Sequence, residues 1–197
     1  HTPVTDLSPD QAAEEIARSK ALLEDLSGQE VIGFRAPSFS VTRRTRWVLD
    51  LLLDAGYRYD SSVFPVRHPD YGIPGSRREV HSLEAPSGRS IVEFPMTVAR
   101  FMGCSIPVAG GGYFRLLPYF ITRWGFRQVN RAGRPGVFYL HPWELDPHQP
   151  DLRRRTSRMG AIRHYTGLQK TEPRLRRLMD QFNFTTLRSV LESQGAL

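Results

Sequence analysis

The chain contains one cysteine, Cys104, and so excludes an intramolecular disulfide. It sits in Phe101-Met102-Gly103-Cys104-Ser105-Ile106, with no cation nearer than Arg100, and reads as a buried, inert thiol rather than a nucleophile. No apolar run approaches the roughly 18 residues of a membrane-spanning helix. No basic region followed by an apolar stretch opens the chain, so no signal peptide is visible. Phosphate-loop, dinucleotide and serine-elbow motifs are all absent. His68, His81, His148 and His164 lack the paired spacing of metal ligands and are expected to be exposed. Acidic residues are outnumbered, 20 against 27 basic ones, for a net charge of +7. Much of the excess lies in Arg153, Arg154, Arg155, Arg158, Arg163, Lys170, Arg174, Arg176 and Arg177. Base-stacking aromatics and a reading helix do not accompany them, so no nucleic-acid partner is expected. This tract reads as a solvated face, with an anionic glycan or membrane phosphates as the functional alternative.

What is present fits one domain, residues 1–197, with a sizeable core. Ser8-Pro9-Asp10-Gln11 carries a capping box with proline at the first helical position. Ala12, Ile16, Leu22, Leu23 and Leu26 then form an apolar stripe, which Gly28 ends. Expected next are a strand over 31–34, a helix over 45–55, a strand over 57–59, and a long excursion over 65–90 with one hairpin. A strand over 90–94, a glycine loop at 110–114 and a helix over 118–132 follow, the last with Phe120, Ile121, Trp124 and Val129 inward. A strand over 137–140, an irregular basic segment over 151–167 and two closing helices, 172–182 and 186–193, complete the chain as a helical tail. Alternating helices and strands predict an α/β protein with a mostly parallel sheet, and leave open whether the sheet is flat or closed.

Phe138-Tyr139-Leu140-His141-Pro142-Trp143-Glu144-Leu145-Asp146 is the most informative segment. A buried strand ends there in a histidine, an aromatic ring and two carboxylates, the position at which barrel enzymes place their chemistry. A histidine so placed can protonate a leaving amine near neutral pH. Arg35 likewise follows a strand and precedes Ala36-Pro37, a stiff turn from which a guanidinium can clamp a carboxylate. Gly110-Gly111-Gly112 reads either as a structural turn or as a loop that brings Tyr113 and Phe114 to a sugar face.

Together, Phe34-Arg35-Ala36-Pro37-Ser38-Phe39-Ser40, Tyr59-Asp60-Ser61-Ser62, the run from Gly110 to Pro118, and Phe138 to Asp146 resemble the polysaccharide deacetylases. The resemblance is closest to the subgroup associated with exosortase and exopolysaccharide gene clusters. It implies a bacterial NodB-homology domain, a distorted (β/α) barrel that hydrolyses N-acetyl groups of a polysaccharide. It also implies a divalent metal, usually zinc, held by one aspartate and two histidines. Zinc polarises the carbonyl and lowers the pKa of its water to about 7, while a second aspartate acts as base.

Carried over, His141 matches the general acid and Arg35 the arginine that positions the base. Ser38 matches the turn whose N–H faces the oxyanion. Asp60 begins the groove motif, Phe64 supplies its aromatic wall, and Tyr113, Phe114 and Trp143 are candidates for sugar stacking. His1 matches the second metal histidine, because His1-Thr2-Pro3-Val4 leads into Leu7-Ser8-Pro9 as the family motif leads into its next helix. The motif with the two aspartates and the first histidine is not in the sequence. The chain therefore resembles the C-terminal two-thirds of a deacetylase, an incomplete (β/α) barrel with its first strands missing, and is expected to be inactive alone. Many relatives carry an aspartate that tunes the acid where this chain has Val63, and Glu144 and Asp146 are the candidates to replace it. The resemblance favours a bacterial exopolysaccharide pathway at the cell envelope and leaves cytoplasmic residence open, since no export signal is visible. The competing readings are a non-catalytic carbohydrate-binding module and a basic anion-binding protein.

Overall fold

A computed structural model describes residues 1–151 and 158–197, and their fold is mixed α/β. Arg153, Arg154 and Arg155 of the basic tract lie outside the described residues. The chain forms two compact units. One comprises His1–Met96 with Leu187–Leu197, and the other comprises Thr97–Thr186. The chain thus leaves the first unit after Met96 and returns to it at Leu187.

In the first unit, α1 (Pro9–Ser27) starts as its sequence predicts. The Ser8 side chain accepts from the Gln11 N–H, the Gln11 side chain accepts from the Ser8 N–H, and Gly28 closes the helix in the left-handed conformation. Its stripe is shorter than expected. Ala12 and Ile16 are buried, but Leu22, Leu23 and Leu26 are exposed. Strand β1 (Gly33–Phe34), helix α2 (Val48–Asp54) and strand β2 (Tyr59–Asp60) form a parallel β–α–β unit. The excursion does contain a hairpin. In it, β3 (His81–Glu84) pairs antiparallel with β4 (Ser90–Glu93), which in turn pairs parallel with β2. The sheet order is β1-β2-β4-β3, with Asp60 opposite Glu93 in register. Val41, Val48, Leu49, Leu52, Tyr57 and Ile91 pack with Ala12 and Ile16 as its core. Helix α7 (Leu187–Ser193) returns here and buries Leu191.

The second unit opens with a hairpin the sequence reading does not contain, β5 (Val98–Phe101) and β6 (Cys104–Pro107). Its turn is Met102-Gly103, both at positive φ, a conformation usually announced by Asn-Gly. Cys104 is exposed at the start of β6, so the expectation of a buried thiol is wrong: the turn carries it into solvent. The glycine run is no loop, because it opens α3 (Gly111–Leu116). Helix α4 (Tyr119–Arg131) buries Thr122, Gly125, Phe126 and Val129, whereas Phe120 and Trp124 face outward, contrary to expectation. Residues 137–140 are extended but make only an isolated parallel bridge, Gly110 to Tyr139. Part of the segment expected to be irregular is helix α5 (Arg158–Tyr165), and α6 (Thr171–Gln181) follows as predicted.

Candidate functional site

The second unit builds its site around the bridge at Tyr139. Gly110 and Gly111 both have positive φ, and a side chain at Gly110 would collide with the Tyr139 carbonyl. Because no Cβ intervenes, Tyr139 N–H donates to Ala109 O at 2.8 Å and Gly111 N–H donates to Tyr139 O at 3.1 Å. The glycine run therefore serves backbone approach, and it fixes the segment from which His141 emerges. Pro142 then starts a one-turn 3-10 helix, Pro142–Leu145, that folds Glu144 back onto His141. Glu144 Oε1 accepts from the His141 backbone N–H at 3.1 Å and lies 2.8 Å from His141 Nδ1. A carboxylate can only accept, so Nδ1 carries a proton and Nε2 is left for a substrate. The His141 side chain is 50% exposed, whereas Glu144 is wholly buried.

Behind Glu144 lies Arg115, whose side chain is 2% exposed. Its Nε donates to Glu144 Oε2 at 2.7 Å, and its Nη1 donates to the carbonyls of His164 and Thr166. Arg174 holds α3 in place by donating to the carbonyls of Phe114, Arg115 and Leu117. The result is a guanidinium–carboxylate–imidazole relay of fixed geometry, with one exposed ring nitrogen at its end. Of the two carboxylates weighed as orienting groups, it is Glu144 that reaches His141. Asp146 instead accepts from the His148 N–H.

Trp143 is already engaged. His164 stacks on it at 4.2 Å, the Arg115 guanidinium sits 4.9 Å from its ring centroid, and His141 lies 5.6 Å away, nearly parallel. Its part is to wall the relay. Phe114 is buried against Phe138 and Tyr119, so it presents no face for sugar stacking, while Tyr113 is half-buried at the start of α3. His164 is not exposed as expected, because it lies under Trp143 and pairs with Gln149. His68 too is covered, by Tyr71 stacked at 3.8 Å; of the four only His148 is exposed, and His81 is half-buried.

The first unit holds the remaining candidates. Arg35 Nε donates to Ser61 O at 2.9 Å and its Nη2 to Ser61 Oγ at 2.8 Å. Here the guanidinium is tied to the chain after β2. Ser38 is exposed and stands with Phe39 in the left-handed region, φ 54° and 53°. Two adjacent non-glycine residues in that region store strain of the kind found at functional turns. His1, Arg35 and Pro37 line one groove of about 350 Å³ with Gly33 and Phe34. Phe64 is fully buried against Phe39 and Tyr71, so its ring is spent on packing and walls no groove. Among the described residues, no three His, Cys, Asp or Glu side chains converge where they could share a metal ion. His1 is thus a single potential donor, and the residues described do not by themselves fit a metal.

Asp60 lies beneath the groove motif rather than on it, wholly buried opposite Glu93, which is also buried. Ser62 Oγ donates to Asp60 Oδ1 at 2.6 Å and the Val63 N–H donates to Glu93 Oε1 at 3.0 Å. Asp60 Oδ2 and Glu93 Oε2 have no other donor, and a proton kept on Glu93 and given to Asp60 satisfies both. Desolvation pushes Asp60 up to about 6, and desolvation together with the Asp60 charge pushes Glu93 well above the carboxylate range. Nearby Arg35 opposes the rise of Glu93. The folded state therefore keeps protons that the unfolded chain releases. This contribution is full below the unfolded values near pH 4 and is lost as pH rises through about 6 and beyond.

Glu93→Gln keeps a donor for Asp60 without needing the proton. It is expected to stabilise the protein at about pH 8, where the wild-type pair is penalised most, and to flatten the pH dependence below it. Urea titrations of both forms at several pH values check this, and parallel curves would overturn it. Sequence reasoning missed Glu93, although a lone carboxylate in the apolar run Ile91-Val92-Glu93-Phe94 is a signal. It also missed Arg115, whose partner is 29 residues away.

A family model described as "Domain of unknown function (DUF3473)" matches residues 61–192. No curated protein matches. Among solved structures, the chain is similar to one described as "putative polysaccharide deacetylase from Mycobacterium smegmatis", at 18% identity and a TM-score of 0.49. The alignment covers 94% of this chain and 63% of that one, so the chain spans less than two thirds of that protein's length.

Proposed function

We propose that this chain, which belongs to the DUF3473 family, takes part in hydrolysis of N-acetyl groups on a bacterial polysaccharide, with His141 as general acid. The observation that carries the proposal is the relay from Arg115 through Glu144 to His141 Nδ1. Protonating a departing amine requires a donor nitrogen held in one orientation and open to substrate, and Nε2 of a half-exposed, backed imidazole meets both conditions. The anchored Arg35 and Pro37, which leads into the strained turn at Ser38, line one groove with His1, in keeping with the roles the resemblance gives them. The incomplete barrel, the zinc ion and the exosortase association belong to this proposal too. A metal, when bound, would supply carbonyl polarisation and the nucleophile. The step assigned to this chain starts from the doubly protonated His141 ring, which gives its Nε2 proton to the amine nitrogen and becomes neutral with Nδ1–H still donated to Glu144; the Glu144 carboxylate stabilises the imidazolium before transfer.

Acetate release from N-acetylglucosamine oligomers tests the proposal. The full-length gene product is expected to release acetate and to stop on chelation. Residues 1–197 alone are expected to release none, since their described donors do not converge on a metal. Glycan binding indifferent to chelator, without acetate from either form, would favour a carbohydrate-binding module instead.

A further inference from the structure

Arg123, Arg127 and Arg131 recur at every fourth residue of α4, and so form one row along the helix. With Phe120, Trp124 and Gln128 they line an open groove of about 500 Å³. Helix α4 contains no Asp or Glu, and among the described residues none of the three arginines is in an ion pair. Asp180 is an acid whose charge is felt at Tyr119, less strongly than the charges of Arg123 and Arg127.

The β5–β6 hairpin extends the same surface. Phe101 packs edge-on against Trp124 at 6.2 Å. The next residue, Met102, is 88% exposed at the turn, and Phe101 and Phe120 are 58% and 67% exposed. An apolar tip, three aromatic rings and a row of guanidinium groups that form no ion pair among the described residues are therefore contiguous within the second unit.

We propose that this face docks reversibly on a membrane surface bearing anionic lipid headgroups. Phe101 and Met102 enter the boundary between headgroups and acyl chains, Trp124 sits at headgroup level, and the arginine row pairs with phosphates. An anionic glycan would also attract the arginines and could stack on Trp124. Met102 decides between the two, because a methionine at a hairpin tip offers a sugar no flat face but gains by leaving water for acyl chains. The inference is independent of the deacetylase proposal.

Co-sedimentation of the full chain with vesicles tests it. Phosphatidylglycerol–phosphatidylcholine vesicles are expected to carry the protein down, and phosphatidylcholine alone is not. Neutralising one arginine to glutamine should weaken association about fivefold, and neutralising all three on the order of a hundredfold. Met102→Ser, which leaves every charge in place, should weaken it about tenfold. Cys104, the sole cysteine and exposed beside the turn, gives a second readout: an environment-sensitive fluorophore on its thiol should shift to the blue on anionic vesicles. Absence of sedimentation with anionic vesicles would overturn the proposal. So would binding that Met102→Ser leaves unchanged while a soluble polyanionic glycan competes it away.

Discussion

Replacing His141 with alanine should lower acetate release by the full-length gene product by about 10²–10⁴-fold, the usual worth of a positioned general acid. The urea midpoint should barely move. The ring is 50% exposed, so little burial is lost. Glu144 keeps an acceptor role in the variant, because the backbone N–H at position 141 still donates to Oε1. The pairing of large kinetic loss with small stability loss separates a catalytic histidine from one that merely ends a strand. A His141→Ala protein with undiminished turnover would remove the residue from the reaction. One that unfolds would make it a structural group.

Glu144→Ala should, unlike His141→Ala, also cost much stability. Its carboxylate is wholly buried and, among the described residues, is the anionic partner of Arg115, whose side chain is 2% exposed. Removing it strands a guanidinium in the interior of the second unit. Breaking a buried ion pair from one side costs about 3–5 kcal/mol, a large part of the roughly 5–15 kcal/mol that holds a domain together. Substituting both partners, Arg115→Met with Glu144→Leu, should recover most of that loss, since no charge is then left unpaired. Denaturant titrations of the two single variants and the double variant give the coupling directly. Additive losses would show that the pair is not energetically linked. The double variant should still be a poor catalyst, because His141 has lost the group that fixes its orientation.

These two residues also show where the sequence is legible. His141 is legible because local chemistry announces it: an apolar run, a histidine, then a proline that forces a new direction. Glu144 is half legible. A carboxylate three residues after the histidine suggests a partner, but only the 3-10 turn from Pro142 brings it, rather than Asp146, onto Nδ1. Arg115 is not legible, because its partner comes from a distant segment and the contact depends on tertiary packing. The same division runs through the fold. The start of α1 is spelled out by Ser8, Pro9 and Gln11, which act on their own neighbours. Which apolar residues of α1 and α4 face inward depends on what covers them, and Leu22, Leu26, Phe120 and Trp124 remain exposed. The β5–β6 turn went unread because Met102 adopts a backbone conformation that its residue type seldom announces. Asp60 and Glu93 face each other through strand register, and no short window of sequence contains that.

The division of the chain has a consequence for synthesis. Residues 97–186 are contiguous, so everything that unit requires has left the ribosome once Thr186 emerges. The other unit is begun before it and closed after it. It must wait for α7 and Leu191, which follow Thr186 in the chain. During that interval the relay around His141 can assemble, while the sheet that carries Arg35 is still short of one of its helices.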